Sequence, residues 1–177
     1  MSFLAAQLEQ HLPHRPPPDG VLDLDAVALI GSRSALLAPG TLLPRCPDIE
    51  MRLGRFGVRI SELPRVWVDV RSPSVIIPAR RLDVTGLRDT EERHPRCAVT
   101  APGNYEVSAW VFLSAPAQPG PISRATAVAR GLLAANRQPP RDALPMLASL
   151  VEHLEVVTIQ DVGELPAIAR ATLDGAS

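Results

Sequence analysis

Residues 104–113 have the sequence Asn-Tyr-Glu-Val-Ser-Ala-Trp-Val-Phe-Leu, and this stretch decides the fold class. Its first residues mix polar and apolar side chains, but residues 109–113 are all apolar. A strand is apolar on both faces only where both faces of its sheet are covered. The stretch therefore predicts a central, covered strand, and Pro102-Gly103 predicts the turn before it.

Shorter strand patterns precede this strand from Val21 onward. Residues 66–71 (Val-Trp-Val-Asp-Val-Arg) alternate between apolar and other residues, which predicts a strand with its three valines facing the core. Residues 74–77 (Ser-Val-Ile-Ile) predict a second short strand that stops at Pro78.

Residues 49–53 and 56–60 also alternate, but with opposite parity. Odd positions are apolar before Gly54, and even positions are apolar after it. A continuous strand would then expose half of its apolar side chains. We therefore predict two strands that meet in a bulge or a tight hairpin at Gly54.

The period of the sequence changes from strand to helix after Leu113. Residues 122–137 and 142–155 predict helices, residues 156–160 a short strand, and Asp161 to Glu164 a capping box before a last helix that ends near Leu173. In the first of these helices, the apolar residues at helical spacing include Ala125, Ala129, Leu132 and Leu133. Strands followed by helices favour an α+β fold, with a mostly antiparallel sheet over residues 21–113 and C-terminal helices packed on it.

The first residues predict a separate arm. Leu4, Leu8 and Leu12 recur at every fourth position, which predicts a short amphipathic helix that ends at Pro13. Residues 13–18 (Pro-His-Arg-Pro-Pro-Pro) favour an extended polyproline connector. We therefore divide the chain into an arm, residues 1–18, and a single α+β domain, residues 19–177.

Composition excludes several classes of function. All 18 basic residues are Arg, so a Schiff-base Lys and a phosphate-loop Lys are both excluded. The net charge of −1 gives no basic field, and a nucleic-acid partner is not expected. The chain shows neither a signal peptide nor an apolar run long enough to span a bilayer, so we expect a cytoplasmic protein without a membrane partner.

His94 and Cys97, three residues apart, are the most metal-like pair in the chain, and Cys46 could be a third ligand. A strong zinc signal needs two such half-sites, and only one is present. The alternative is a polar surface loop with one buried thiol. We therefore predict no metal site and no cofactor.

Trp67, Asp69 and Arg71 form the best candidate for a small-molecule pocket. They share one strand face, where Asp69 could act as a base and Arg71 as an anion clamp. Tyr105 and Trp110 would complete the pocket against the C-terminal helices. The alternative is a solvated sheet face with a cross-strand ion pair.

Two functions of different classes follow. The first is a non-enzymatic assembly, adaptor or regulatory subunit that binds a protein partner or itself, for example in a ring like those of phage tails. Its interaction residues would be the arm leucines Leu4, Leu8 and Leu12, together with Arg52 and Arg59 from the basic central region, residues 45–96. The second is a small-molecule binder or enzyme with its pocket between the sheet and the C-terminal helices. We favour the first, because no catalytic constellation is visible in the sequence.

Overall fold

The computed structural model contains eight strands and four α-helices within residues 18–40, 47–61, 65–77, 103–114, 120–135 and 142–173, which are the described residues. The strands are β1 Val21–Leu24, β2 Ala26–Ile30, β3 Ser34–Pro39, β4 Arg59–Ile60, β5 Val66–Asp69, β6 Ser74–Ile77, β7 Gly103–Leu113 and β8 Glu155–Ile159. The helices are α1 Pro47–Arg55, α2 Arg124–Ala134, α3 Ala143–His153 and α4 Leu165–Thr172. The predicted α+β fold, with its mostly antiparallel sheet, is confirmed.

Strand β7 is the centre of the sheet, as its sequence predicts. Its first residues pair antiparallel with β6, and residues 106–110 pair parallel with β3. Its last residues pair parallel with β8. Since Ala109 and Trp110 pair with β3 and β8 at the same time, β8 must lie on the edge of β7 that β6 also uses. The strand predicted at residues 156–160 therefore returns to the same sheet.

The sheet curves strongly, because its first strand β1 is followed along the chain by β2 near its other end. The pairing order is β1-β5-β6-β7-β3-β2-β4, so β1 and β2 stand far apart in that order. Only Asp25 separates them along the chain. β1 and β2 form one stretch of chain that bends at Asp25. Its first half, β1, pairs with β5, and its second half, β2, pairs with β3, so the sheet must bend round to bring both partners to this stretch.

Two apolar clusters lie on the two faces of this sheet. The inner cluster gathers side chains from six strands with those of α2 and α3, which places it on the concave face. The outer cluster joins α1 and α4 to the convex face of β2, β3 and β7. Central members of the inner cluster are Leu24, Leu37, Val68, Trp110, Leu147 and Leu150, and those of the outer cluster are Leu29, Leu36, Leu53, Val111 and Leu165.

A bulge lets β7 serve both clusters. Tyr105 and Val107 face the inner cluster, and after Ser108 the same face is taken by Trp110 and Phe112. The register against β3 shifts at this point, and the Ser108 hydroxyl donates to the Ala35 carbonyl at 3.2 Å. One extra residue reverses the parity of a strand, so both halves of β7 can bury their large side chains inside.

The strand predicted at residues 49–53 is wrong, because these residues belong to α1. Ile49 and Leu53 are four residues apart, and both are buried in the outer cluster, so a helix serves them as well as a strand. The change in parity at Gly54 therefore marks the C-terminal end of this helix and not a bulge or hairpin between two strands. Gly57 follows with φ of 71°, a conformation that favours glycine.

The predicted C-terminal helices are confirmed as α2, α3 and α4, within a few residues of their expected bounds. The backbone N–H of Ile122, just before α2, donates to the Thr158 hydroxyl of β8, and α2 ends beside β1, where the Asp25 N–H donates to the Ala134 carbonyl. Helix α3 leads directly into β8. The two helices therefore run in opposite directions, and the end of α2 lies near the start of α3.

The buried face of α2 differs from the one its sequence predicts. Ala125, Ala129, Leu132 and Leu133 are exposed, whereas Ala127 and Gly131 are buried. The reason is the Trp110 ring below the helix. A Cβ at Gly131 would lie 2.8 Å from Trp110 Cη2, so only very small residues can face this ring.

None of the helices in the described part of the chain has the length and apolar character needed to cross a membrane.

Candidate functional site

The candidate residues Trp67, Asp69 and Arg71 lie at the convex side of the sheet. Val66 and Val68 point into the inner cluster, so Trp67 between them faces the other way and is half-buried. The Asp69 carboxylate accepts from the backbone N–H of Arg71 at 2.9 Å, which stabilises the turn after β5. The Arg71 side chain is exposed.

Tyr105 and Trp110 lie on the opposite face, in the inner cluster. Tyr105 is buried beneath Arg59, whose guanidinium carbon is 5.9 Å from the ring centroid. Trp110 is buried under α2 and packs on Phe112 with ring centroids 5.0 Å apart. The structure thus divides the five candidate residues between the two faces of the sheet and does not bring them together.

The two candidate interaction arginines differ in their surroundings. Arg52 is exposed on α1. Arg59 is half-buried, and besides its contact with Tyr105 it donates to the Gly31 carbonyl at 3.0 Å. These contacts hold Arg59 at one end of the curved sheet, where it covers the inner cluster.

Sequence reasoning missed one buried ion pair. Asp23 on β1 is buried, and Arg65, just before β5, binds both of its carboxylate oxygens, with Nε at 2.6 Å from Oδ1. Asp23 pairs in register with Trp67, so the ion pair lies next to this ring. The fork of the guanidinium joins β1 to β5, which is a structural role.

Six candidate residues lie outside the described residues: Leu4, Leu8, Leu12, Cys46, His94 and Cys97. The predicted arm helix and the His94–Cys97 pair therefore remain predictions. Within the ranges that the structure describes, no group of three or more His, Cys, Asp or Glu side chains could hold a metal ion.

A shallow depression of about 220 Å³ lies at the end of β7. It lies between the sheet and α2, and its floor is formed by Trp110 and Phe112. Its other lining residues are Asp25, Pro39, Leu113, Arg130 and Ala134. Pockets for drug-sized ligands measure about 300–1,000 Å³, so this depression fits one large apolar side chain better than a cofactor.

Opposite charges stand at the rim of the depression. Arg130 is held there because its guanidinium donates to the Leu113 carbonyl at 2.6 Å. Asp25 is fixed through its backbone by Ala134, while its side chain is exposed and no described residue pairs with its carboxylate. The rim can therefore bind a partner that carries a cation and an anion on either side of an apolar group.

Three exposed leucines lie where α2 ends and where α3 begins. Leu132 and Leu133 at the end of α2 and Leu144 at the start of α3 form what we call the leucine patch. Leu133 is 87% exposed, and Leu144 is 55% exposed. Because α2 and α3 run in opposite directions, these residues lie at the same end of the helical hairpin, and Leu133 directly precedes Ala134 of the depression. The depression lies on the side of α2 that carries Arg130 and Ala134, whereas Leu132, two residues from each of them, faces the other side of the helix.

Comparisons with protein-family models, with curated proteins and with solved structures found no match for this chain. The chemistry of the leucine patch and of the depression is therefore the guide to function.

Proposed function

We propose that this protein is a non-enzymatic assembly subunit that associates with further copies of itself through the leucine patch. The observation that carries the proposal is the exposure of Leu133, which has almost its whole side chain in water. Folded chains tolerate single exposed leucines, but a group of them at one end of a helical hairpin is typical of a protein-binding surface. Adaptor and regulatory roles use the same kind of surface.

The geometry of the depression supports a protein ligand. The depression of about 220 Å³ has room for one large side chain, and the rim charges of Asp25 and Arg130 would orient the partner. Anchors that insert into such pockets contribute most of the binding energy of a protein interface.

A small-molecule ligand is the second candidate function. It is favoured by the aromatic floor, which lies between the sheet and a C-terminal helix, and by the two rim charges, which suit a small zwitterion. Of the five pocket residues that the sequence suggests, only Trp110 lines this depression. This second function is supported if a zwitterion raises the melting temperature of the unmodified protein but not that of the Asp25→Asn variant.

Solution mass across a concentration series tests the self-association. We expect light scattering to show a rise from the 19.0 kDa of one chain to a defined multiple of it. Leu133→Ser with Leu144→Ser should raise the concentration of half-association by at least about tenfold, because burial of one leucine contributes more than about 1.4 kcal/mol.

Arg124→Ser with Glu152→Ser is the matched control, since both residues are exposed at the other end of the same two helices. This control should associate like the unmodified protein. A chain that stays at 19.0 kDa over the whole series would refute self-association.

A further inference from the structure

We infer that Arg52, Arg55 and Arg170 form a binding surface for an acidic segment of a partner protein. These three residues lie on helices α1 and α4, which pack side by side on the convex face of the sheet. We call them, together with Phe56, the arginine cluster. The leucine patch lies on the hairpin of α2 and α3 instead, so this surface goes beyond the self-association proposed above.

Phe56 brings the three arginines together. Its backbone N–H donates to the Leu53 carbonyl at 3.0 Å, so the last turn of α1 continues as far as Phe56. Arg52 precedes Phe56 by four residues and Arg55 by three, so each has a near neighbour on this side of the helix. From α4, the guanidinium carbon of Arg170 lies over the Phe56 ring, 5.3 Å from its centroid. Three positive charges thus surround one half-buried ring.

The charges of the arginine cluster have no acidic partner in the described part of the chain. All three arginine side chains are exposed, and none forms an ion pair with a described residue. Helix α4 contains no acidic residue. Asp48, one turn before Arg52 on α1, makes no ion pair with it. The arginine cluster is therefore a positively charged surface that is open to a partner.

Helix dipoles balance only part of this charge. Arg52 and Arg55 lie in the last turn of α1, and Arg170 lies in the last turn of α4. The C-terminal end of an α-helix carries about half a negative charge. Two helix ends therefore balance about one of the three positive charges, and about two remain for an external anion.

The position of Arg170 favours a carboxylate as that anion. A guanidinium stacked on an aromatic ring is held in place, while the N–H groups along its edge stay free to bind both oxygens of a carboxylate. A nucleic acid suits the surface less well, because Arg170 lies over the ring on which a base would stack. Opposite charge then selects a protein segment with neighbouring Asp or Glu residues.

A labelled hexaglutamate peptide tests the inference, with hexaglutamine as the neutral probe. We expect the fluorescence anisotropy of hexaglutamate, but not of hexaglutamine, to rise when the unmodified chain is added at low salt. The affinity should fall as salt is added, because salt screens exposed charges. Arg55→Gln with Arg170→Gln should weaken the binding at least about tenfold, because hydrogen bonds to charged groups are lost.

Arg71→Gln with Arg124→Gln is the matched control, because both arginines are exposed and the net charge changes by the same amount. This control should bind hexaglutamate like the unmodified chain. Phe56→Leu tests the ring itself. It should weaken binding by about two- to fivefold although no charge is lost, because a contact between a cation and a ring is removed, and Phe56→Tyr should restore the affinity.

Three results would overturn the inference. The first is no binding of hexaglutamate up to about 1 mM protein, where even a weak complex forms. The second is an equal loss of affinity in the control variant, which would show attraction to the overall charge and not to the arginine cluster. The third is tighter binding of a hexathymidylate oligonucleotide than of hexaglutamate, which would assign the surface to nucleic acid. None of these substitutions changes the leucine patch, so the outcome is independent of the light-scattering test of self-association.

Discussion

The contact between Trp110 and Gly131 shows how one residue sets the packing of this protein. Trp110 is the largest fully buried side chain of the described residues, and it lies at the floor of the depression. Helix α2 can approach its ring only because Gly131 has no side chain. The same close approach turns Leu132 and Leu133 away from the core. The leucine patch is therefore a consequence of the core below it.

Gly131→Ala tests this contact. The new Cβ would lie 2.8 Å from Trp110 Cη2 and 3.0 Å from Leu147 Cδ2, and the rigid ring cannot yield easily. Overpacking a core costs about 1–3 kcal/mol, whereas Ala in place of Gly gains about 1 kcal/mol of helix propensity. We expect the free energy of unfolding in urea to fall by up to about 2 kcal/mol overall.

Ala129→Gly provides the comparison, because Ala129 is exposed on the same helix. It should lose about 1 kcal/mol through propensity alone. If Gly131→Ala instead stabilised the protein by a similar amount, propensity would dominate and the close contact with Trp110 would be refuted.

At the scale of elements, the sequence predicts those strands and helices that a local pattern of apolar residues specifies. It does not predict an element whose type depends on contacts with distant residues. The alternation at residues 66–71 and the short apolar run at 74–77 correspond to β5 and β6. The pattern Ile49, Met51, Leu53 fits a strand, yet Ile49 and Leu53 also fit one helix face. Acidic residues in the first turn of α1 and Arg in its last turn favour the helix, because they complement its dipole.

The candidate surface could be predicted only in outline. Its position between the sheet and the C-terminal helices follows from the order of the elements. The residues that line the depression do not follow from that order, because they come from four separate parts of the chain: Asp25, Pro39, Leu113 and Arg130. Their meeting depends on strand register and on the bulge at Ser108, which no local pattern specifies.

The capping box before α4 offers a prediction at this scale. Asp161 Oδ1 accepts from the Gly163 N–H at 2.6 Å, and Glu164 Oε1 accepts from the Asp161 N–H at 2.8 Å. Asp161→Ala should lower the free energy of unfolding by about 1 kcal/mol, as the loss of an N-cap usually does. Thermal unfolding followed by circular dichroism measures the change.

Asp142 supplies the matched control, because it occupies the N-cap position of α3 but makes no cap hydrogen bond with its side chain. Asp142→Ala should change the stability by no more than about 0.5 kcal/mol. Equal losses for the two variants would show that the hydrogen bonds of the Asp161 box contribute nothing particular.

At the scale of the whole molecule, the two apolar clusters share one sheet. Strand β7 supplies Trp110 and Phe112 to the inner cluster and Ala109 and Val111 to the outer one. If the sheet unfolds on one side, the apolar side chains of both clusters become exposed to water. Residues 19–177 should therefore unfold as one cooperative unit, which is what a single domain requires.

Leu165→Ala tests this coupling from the side of the sheet opposite Trp110. Leu165 is fully buried in the outer cluster, and its truncation should cost about 2–5 kcal/mol. In a Trp67→Phe background, Trp110 of the inner cluster is the only remaining tryptophan. Its fluorescence and the far-ultraviolet circular dichroism should give coincident urea transitions, and Leu165→Ala should move both to lower urea.

Leu150→Ala, in the inner cluster, should do the same. A Trp110 transition that Leu165→Ala left in place, while part of the dichroism signal moved, would mean that the two faces of the sheet unfold separately and that residues 19–177 are more than one unit.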